Sequence, residues 1–117
     1  MSAHFPYTAL FRAPKATPNS SPSLFGFAIT LKESAPLSRI ELLKMLEQQK
    51  IGTRLLFAGN ITCQPYMTGQ NFRVSGSLKN TDLAMNNTFW IGVQPALTQD
   101  MLDFVIETIK GCFGVSE

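Results

Sequence analysis

The side chains best suited to bind a ligand lie in one stretch of the sequence, between residues 54 and 73. They combine guanidinium, amide and phenol groups with nearby glycines, namely Arg54, Asn60, Gln64, Tyr66, Gln70, Asn71 and Arg73. An arginine offers a planar fork that pairs with phosphate, and amides pair with sugar hydroxyls or the edge of a base. The pattern permits a nucleotide or a sugar as ligand. The same side chains could instead satisfy the polar backbone groups of their own loop.

The sequence holds none of the motifs expected of an enzyme that works alone. There is no nucleophile elbow, no glycine-rich phosphate loop before a helix and no suggestive pair of carboxylates. Asp82 and the other acidic residues are expected to cap helices or to lie on solvated faces. The two cysteines, Cys63 and Cys112, are far apart and are expected to be reduced and mostly buried, and His4 is the single histidine. We predict no catalytic residue, no cofactor and no metal in this chain by itself.

Length and composition indicate one ordinary globular domain. The chain has 117 residues, of which 44% are hydrophobic and 15% are charged. A net charge of +2, spread along the sequence, argues against nucleic acid as a partner. No apolar run approaches the roughly 20 residues that cross a bilayer, and no signal peptide is evident. We therefore expect a cytoplasmic protein that does not contact membrane.

The elements that would position the polar stretch begin with a strand and a helix. Alternating apolar residues predict a strand over residues 24–32. Ser38 and Glu41 have the spacing of a capping box, which predicts a helix start, and Gly52 is expected to end that helix. The stripe expected to face a sheet consists of Ile40, Leu42, Leu43 and Leu46.

The second half of the chain predicts further short strands and another helix. Strands are expected at 53–57 and 89–93, separated by a long irregular connection over 58–80 with a short strand at 72–74 and a helical turn at 81–86. Thr98 is expected to cap a second helix. Its buried side would carry Leu102, Val105, Ile106 and Ile109.

This order of elements predicts an α+β fold: a small, mostly antiparallel sheet of three to four strands with two helices packed on one face. Residues 1–16 are predicted to form an N-terminal arm and residues 17–117 a single domain. The apolar residues of the arm, which could pack on this sheet or on a partner subunit, are Phe5, Tyr7, Leu10 and Phe11. The other face of the sheet is left to the arm, to solvent or to another domain.

Four segments carry a resemblance to a known family. They are TPNSSPSLFGF (17–27), KIGTRLLFAGNITCQPY (50–66), NTD (80–82) and TFWIGVQP (88–95). Together they closely resemble the C-terminal domain of the CDP-4-keto-6-deoxyglucose 3-dehydrases, in the DegT/DnrJ/EryC1 sugar-aminotransferase superfamily. The resemblance extends over residues 14–115, and residues 1–13 do not read like that family.

The resemblance implies a pyridoxal-phosphate architecture of fold type I, in which a large domain binds the cofactor and a small C-terminal domain closes part of the active site. The family uses pyridoxamine phosphate and a [2Fe–2S] cluster to remove the C3 hydroxyl of a CDP-linked 4-keto sugar during lipopolysaccharide biosynthesis. Both groups would be held by a large domain that is not in this sequence. The resemblance implies ligand contacts at Arg54, Asn60, Gln64, Tyr66 and Arg73. Cys63 stands where the dehydrases are expected to have arginine.

Two hypotheses follow. In the first, the chain is the small domain of a dehydrase, inactive without its large domain. In the second, it is a dimeric, stand-alone module that binds a nucleotide-sugar or another small ligand. An intact small enzyme of unknown chemistry is the least favoured interpretation. The extent of apolar sheet left exposed separates the first two.

Overall fold

The computed structural model describes residues 10–114. Three residues considered above, His4, Phe5 and Tyr7, lie outside this range. The elements in chain order are β1 (Phe11–Arg12), β2 (Gly26–Leu31), α1 (Arg39–Gln48), β3 (Thr53–Leu55), α2 (Lys79–Asn87), β4 (Thr88–Gly92) and α3 (Gln99–Cys112). Two single 3₁₀ turns, Ile61–Cys63 and Pro65–Met67, lie between β3 and α2.

The strands form one antiparallel sheet in the order β1-β2-β4-β3. This confirms the predicted α+β fold with a small antiparallel sheet. β1 comes from the segment predicted to be an arm, and its Phe11 lies opposite Leu31 of β2. The sheet therefore gains an edge strand from the stretch that the sequence pattern left unassigned.

One face of the sheet is buried in the core of the domain. Ile29 and Phe89 lie directly opposite each other on β2 and β4, and both side chains are almost fully buried. Phe11 joins the same core and stacks on Phe113 with ring centroids 6.2 Å apart. Burying side chains of this size stabilises a fold by about 1.5–3 kcal/mol each. The face opposite Ile29 and Phe89 is called the outer face below.

Helix α1 begins and ends with well-formed caps. The Ser38 hydroxyl accepts from the Glu41 amide while the Ser38 amide donates to the Glu41 carboxylate, which confirms the predicted capping box. At the other end, the Ile51 amide donates to the Leu46 carbonyl and the Lys50 amide to the Glu47 carbonyl, the hydrogen bonds of a Schellman motif.

The predicted end of α1 and one residue of its stripe were wrong. The left-handed residue after the helix is Lys50, with φ 61°, rather than Gly52. Leu42 and Leu46 are buried one turn apart, but Ile40 is 62% exposed. Ile40 precedes Leu42 by two positions, and about 100° per residue carries it to the opposite side of the helix.

The connection after β3 also differs from its prediction. The strand stops at Leu55, two residues early, because the chain turns and Phe57 adopts a left-handed φ of 42°. Residues 72–74 form no strand and are exposed. The predicted turn at 81–86 is a nine-residue helix, α2, which makes a third helix beside the two that were expected.

Helix α3 begins at the predicted cap, where the Thr98 hydroxyl accepts from the Met101 amide. Ile109 is buried in the core, and Val105 packs against it from the same helix. With 14 residues, α3 is the longest helix in the structure. Over residues 10–114, no helix has both the length and the apolar character needed to cross a membrane.

Candidate functional site

Asn60 anchors the start of the polar loop. Its Oδ1 accepts from the amide and the hydroxyl of Thr62, at 3.0 and 2.7 Å, and its Nδ2 donates to Oδ1 of Asp82 at 2.7 Å. The side chain is 3% exposed. The amide is therefore used inside the fold, where it caps the first 3₁₀ turn and links that turn to α2. Asp82, expected only to cap a helix or face solvent, is its partner.

Gln64 and Gly59 complete the base of this loop. The Gln64 Nε2 donates to the Ala58 carbonyl at 2.7 Å, which closes the loop across six residues. Gly59 has φ +63°, and a Cβ built there would lie 2.4 Å from Cγ of Met85 on α2. The loop can pack this closely on α2 only because residue 59 has no side chain.

Arg54 lies apart from the loop, on β3. It is directly opposite Trp90 of β4, so both side chains lie on the outer face. Its Nη1 donates to the carbonyl of Thr53 at 2.9 Å, and within residues 10–114 it makes no ion pair. The guanidinium is exposed and has donors left for an anion.

Tyr66 and Arg73 are the remaining predicted contacts. Both are exposed, Tyr66 by 61%, as are Gln70 and Asn71 between them. No hydrogen bond or ion pair among the described residues joins Tyr66 or Arg73 to Arg54. Asn60 and Gln64 are therefore engaged by hydrogen bonds within the fold, whereas Arg54, Tyr66 and Arg73 are exposed.

An aromatic pair beside Arg54 was missed by sequence reasoning. The ring of Phe25 lies 5.1 Å from that of Trp90 at an interplanar angle of 51°. Trp90 also covers Gly26, where a Cβ would be 2.4 Å from its Cε3. The alternation of β4 could have revealed half of this arrangement, because a buried Phe89 places Trp90 on the opposite face.

A second overlooked residue, Arg39, ties α1 to the end of α2. Its Nη1 donates to the carbonyls of Met85 and Thr88, the latter at 3.1 Å. A cation at the carboxyl end of a helix satisfies free carbonyls and complements the helix dipole. Arg39 thereby fixes the position of α2, and with it Asp82 and the loop.

The described residues do not fit a metal or an iron–sulfur centre. No group of three or more His, Cys, Asp and Glu side chains converges anywhere in residues 10–114. Cys63 is exposed in the loop, against the expectation that it is buried, whereas Cys112 is half-buried at the end of α3. Burial raises the pKa of the Cys112 thiol, so it stays protonated at neutral pH. A [2Fe–2S] cluster needs four ligands, usually all thiolates.

Two shallow grooves lie on the helical layer. One lies between α1 and α3 and includes Met45, Phe104 and Cys112, and a second lies near Leu37 and Phe113. Neither groove includes any of the five predicted contacts. A ligand at those contacts would need a further surface to enclose it.

The sequence matches a family model over most of its length. Residues 4–110 match the model of the DegT/DnrJ/EryC1/StrS aminotransferase family. The chain belongs to this family. The match begins at residue 4, which corrects the expectation of no likeness to the family for residues 4–13. Membership confirms the resemblance found in the four sequence segments.

Two relatives give more specific similarity. The chain is 51% identical, over 109 residues, to the lipopolysaccharide biosynthesis protein RfbH of Salmonella typhimurium, a match that covers 93% of the chain. It is 48% identical over 96 residues, 82% of the chain, to dTDP-4-dehydro-2,6-dideoxy-D-glucose 3-dehydratase of Saccharopolyspora spinosa. The matches cover 25% and 21% of those proteins, so the chain spans about a quarter of their length.

The fold is also similar to solved structures of the family. GDP-4-keto-6-deoxy-D-mannose-3-dehydratase of E. coli with bound hydrated PLP superposes with a TM-score of 0.78, covering 91% of this chain and 27% of that one. DesV of S. venezuelae, in complex with a ketimine intermediate, gives a TM-score of 0.74 over 98% of this chain and 29% of its own. At 20% and 18% identity, these likenesses show the fold alone.

Proposed function

We propose that this chain acts as the small C-terminal domain of a pyridoxamine-phosphate-dependent 3-dehydratase of nucleotide-linked 4-keto sugars. The proposed role is to close the substrate side of an active site whose chemistry a larger, cofactor-binding domain supplies. The substrate class is a CDP-4-keto-6-deoxyhexose, as the four sequence segments suggest. By itself the chain is proposed to be inactive.

The observation that carries this proposal is the 51% identity to RfbH across 93% of the chain. The second relative, at 48% identity, is a sugar 3-dehydratase. This relative favours dehydration over amino transfer among the reactions of the family.

The geometry suggests two different roles among the five proposed contacts. Asn60 and Gln64 use their amides to hold the loop against itself and α2, so they act as positioning residues. Arg54, Tyr66 and Arg73 keep exposed polar groups, which suit a phosphate and sugar hydroxyls. The exposure of these three groups is in keeping with a site completed by another domain.

Residues 10–114 hold no converging group of three or more His, Cys, Asp and Glu side chains, so no chemical step is assigned to them. A cofactor phosphate is usually cradled by backbone amides at a helix start, and the pyridinium nitrogen requires an acidic partner. Asp82, beside the loop, is already hydrogen-bonded to Asn60. We propose that pyridoxamine phosphate and a [2Fe–2S] cluster are held by the larger domain. A cytoplasmic location stays a prediction from the sequence.

Cofactor spectroscopy on the 117-residue chain tests the assignment of chemistry to the larger domain. The absorption bands of added pyridoxamine phosphate and pyridoxal phosphate should stay those of the free compounds. The E. coli GDP-4-keto-6-deoxy-D-mannose-3-dehydratase, whose solved structure holds hydrated PLP, serves as the positive control. A saturable shift of either band by this chain alone would contradict the proposal.

A further inference from the structure

The outer face of the sheet carries two aromatic rings beside a cation. Trp90 lies directly opposite Arg54 on the neighbouring strand, and the Phe25 ring rests 5.1 Å from Trp90. Phe25 is 77% exposed, while Trp90 is half-buried against Gly26. Trp90 therefore supports a second ring that reaches into solvent.

The absence of a side chain at residue 26 lets the Trp90 indole lie close against the strand. Three atoms of the Trp90 indole lie within 3.1 Å of the position that a Cβ would take there. A larger residue would push the indole outward and separate it from Phe25. The close approach of the indole to Gly26 holds the Trp90 side chain, on which the Phe25 ring packs, in one orientation.

The charge of the outer face favours an anion. Its outward strand positions include two arginines and no carboxylate; they are Arg12, Gly26, Ala28, Thr30, Arg54, Thr88, Trp90 and Gly92. Within residues 10–114, Arg54 makes one hydrogen bond, from Nη1 to the carbonyl of Thr53. A guanidinium with free donors is well suited to a phosphate.

We propose that Phe25, Trp90 and Arg54 form a binding surface for a nucleoside diphosphate, in which the rings receive the base and Arg54 a phosphate. Bases of any sequence stack on aromatic side chains, and Arg54 is one strand away, a spacing of about 4.8 Å that a ribose can bridge. The choice of a cytidine nucleotide as probe rests on the proposed function. The surface itself rests on the contacts described here.

Tryptophan fluorescence can measure binding at this surface, because Trp90 is the single tryptophan of the chain. We expect CDP to change the emission of Trp90 saturably, with an affinity in the millimolar range or tighter. Arg54→Ala should weaken this binding by about tenfold, the usual scale for one hydrogen-bonded charge. Phe25→Ala should weaken it as well. Cytidine and inorganic pyrophosphate should each bind more weakly than CDP.

Matched control variants lie on the helical layer. Lys44→Ala removes one exposed cation from α1, and Phe104→Ala removes an exposed ring from α3. Both should leave the CDP titration unchanged. Circular dichroism of all four variants checks that each is folded before its affinity is compared.

Three results would overturn the proposal: no saturable change at millimolar CDP, equal affinity in Arg54→Ala, or emission that follows protein concentration rather than nucleotide. The last would mean that a second copy of the chain covers this face. Equal affinity in Arg54→Ala would remove the phosphate contact proposed for that residue. The dehydratase role itself would stand, because a larger domain could bind the nucleotide with residues of its own. Conversely, CDP binding here would stand even if the cofactor proposal failed.

Discussion

The amide of Asn60 donates to the carboxylate of Asp82 across a distance of 2.7 Å, joining the start of the polar loop to helix α2. Asn60 is almost fully buried and also holds the amide and hydroxyl of Thr62. Removing it would leave these groups without their partner inside the fold. Together with Gln64, this side chain holds the loop that carries Tyr66 and Arg73.

Asn60→Ala should therefore lower the free energy of unfolding by about 1–3 kcal/mol, the cost of lost buried hydrogen bonds and a lost cap. Asn60→Asp should be worse near neutral pH, where two carboxylates would meet at the Asp82 contact, and should recover in acid as one takes up a proton. Urea unfolding at both pH values measures the difference. Equal stability of Asn60→Asp at the two pH values would show that the contact is not formed in solution.

The capping box makes part of the stability depend on pH. Hydrogen bonds from the backbone and then the hydroxyl of Ser38 hold the pKa of Glu41 below its ordinary value of 4.5. Since folding favours the ionised form, this contribution is complete above pH 4.5 and is lost as the pH falls through the lower folded value. Glu41→Gln should lower the Tm at neutral pH and converge on the parent protein in acid.

Glu47→Gln on the same helix is the matched control for the capping box, because Glu47 is exposed and lies far from the helix start. The Tm difference between Glu47→Gln and the parent protein should not shrink in acid as that of Glu41→Gln does. A Glu41→Gln variant whose Tm deficit stays constant from neutral pH to acid would argue against the capping interaction.

Lys50 occupies the left-handed position that ends α1, where glycine is usual. Lys50→Gly should stabilise the domain by up to about 1 kcal/mol, because it relieves the cost of a side chain at positive φ. Lys44→Gly, inside the same helix, should destabilise it by about 0.5–1 kcal/mol. Thermal unfolding of the two variants measures the effect of the same Lys→Gly substitution at a left-handed position and inside the helix. A loss of stability in Lys50→Gly would contradict the described end of the helix.

The two cysteines should differ in reactivity. Cys63 is exposed, whereas Cys112 is half-buried and burial raises the pKa of its thiol. The thiolate is the reactive form, so a maleimide or alkylating reagent should modify Cys63 first at neutral pH. Mass spectrometry of peptides after brief labelling identifies the modified residue. Faster labelling of Cys112 would show that the end of α3 is open in solution.

The regular elements could be predicted from the sequence because their signals are local. The capping residues Ser38, Glu41 and Thr98 and the alternation before Leu31 each depend on neighbours within one turn or one strand. The end of α1 failed because a Schellman motif accepts Lys50 when its backbone hydrogen bonds are satisfied. Phe11 could not be assigned because an edge strand of two residues has almost no pattern of its own.

The candidate site was less predictable, because it depends on contacts between distant parts of the chain. Residue types alone could not separate Asn60, which binds Asp82, from Arg54, which remains exposed. The pairing of Arg54 with Trp90 follows from strand register, which is set only when the sheet assembles. The polar stretch was recognisable as a group, while the role of each member required the fold.

Domain exchange in RfbH tests the central claim most directly. Residues 10–114 of this chain would replace the matching segment of the Salmonella typhimurium protein, whose similarity is 51% over 109 residues. The measurement is dehydration of a CDP-4-keto-6-deoxyhexose, with pyridoxamine phosphate added, by the purified chimera and by unaltered RfbH in the same assay. The account predicts that both proteins dehydrate this substrate at similar rates. A chimera that folds but cannot dehydrate the substrate, where unaltered RfbH does, would contradict it.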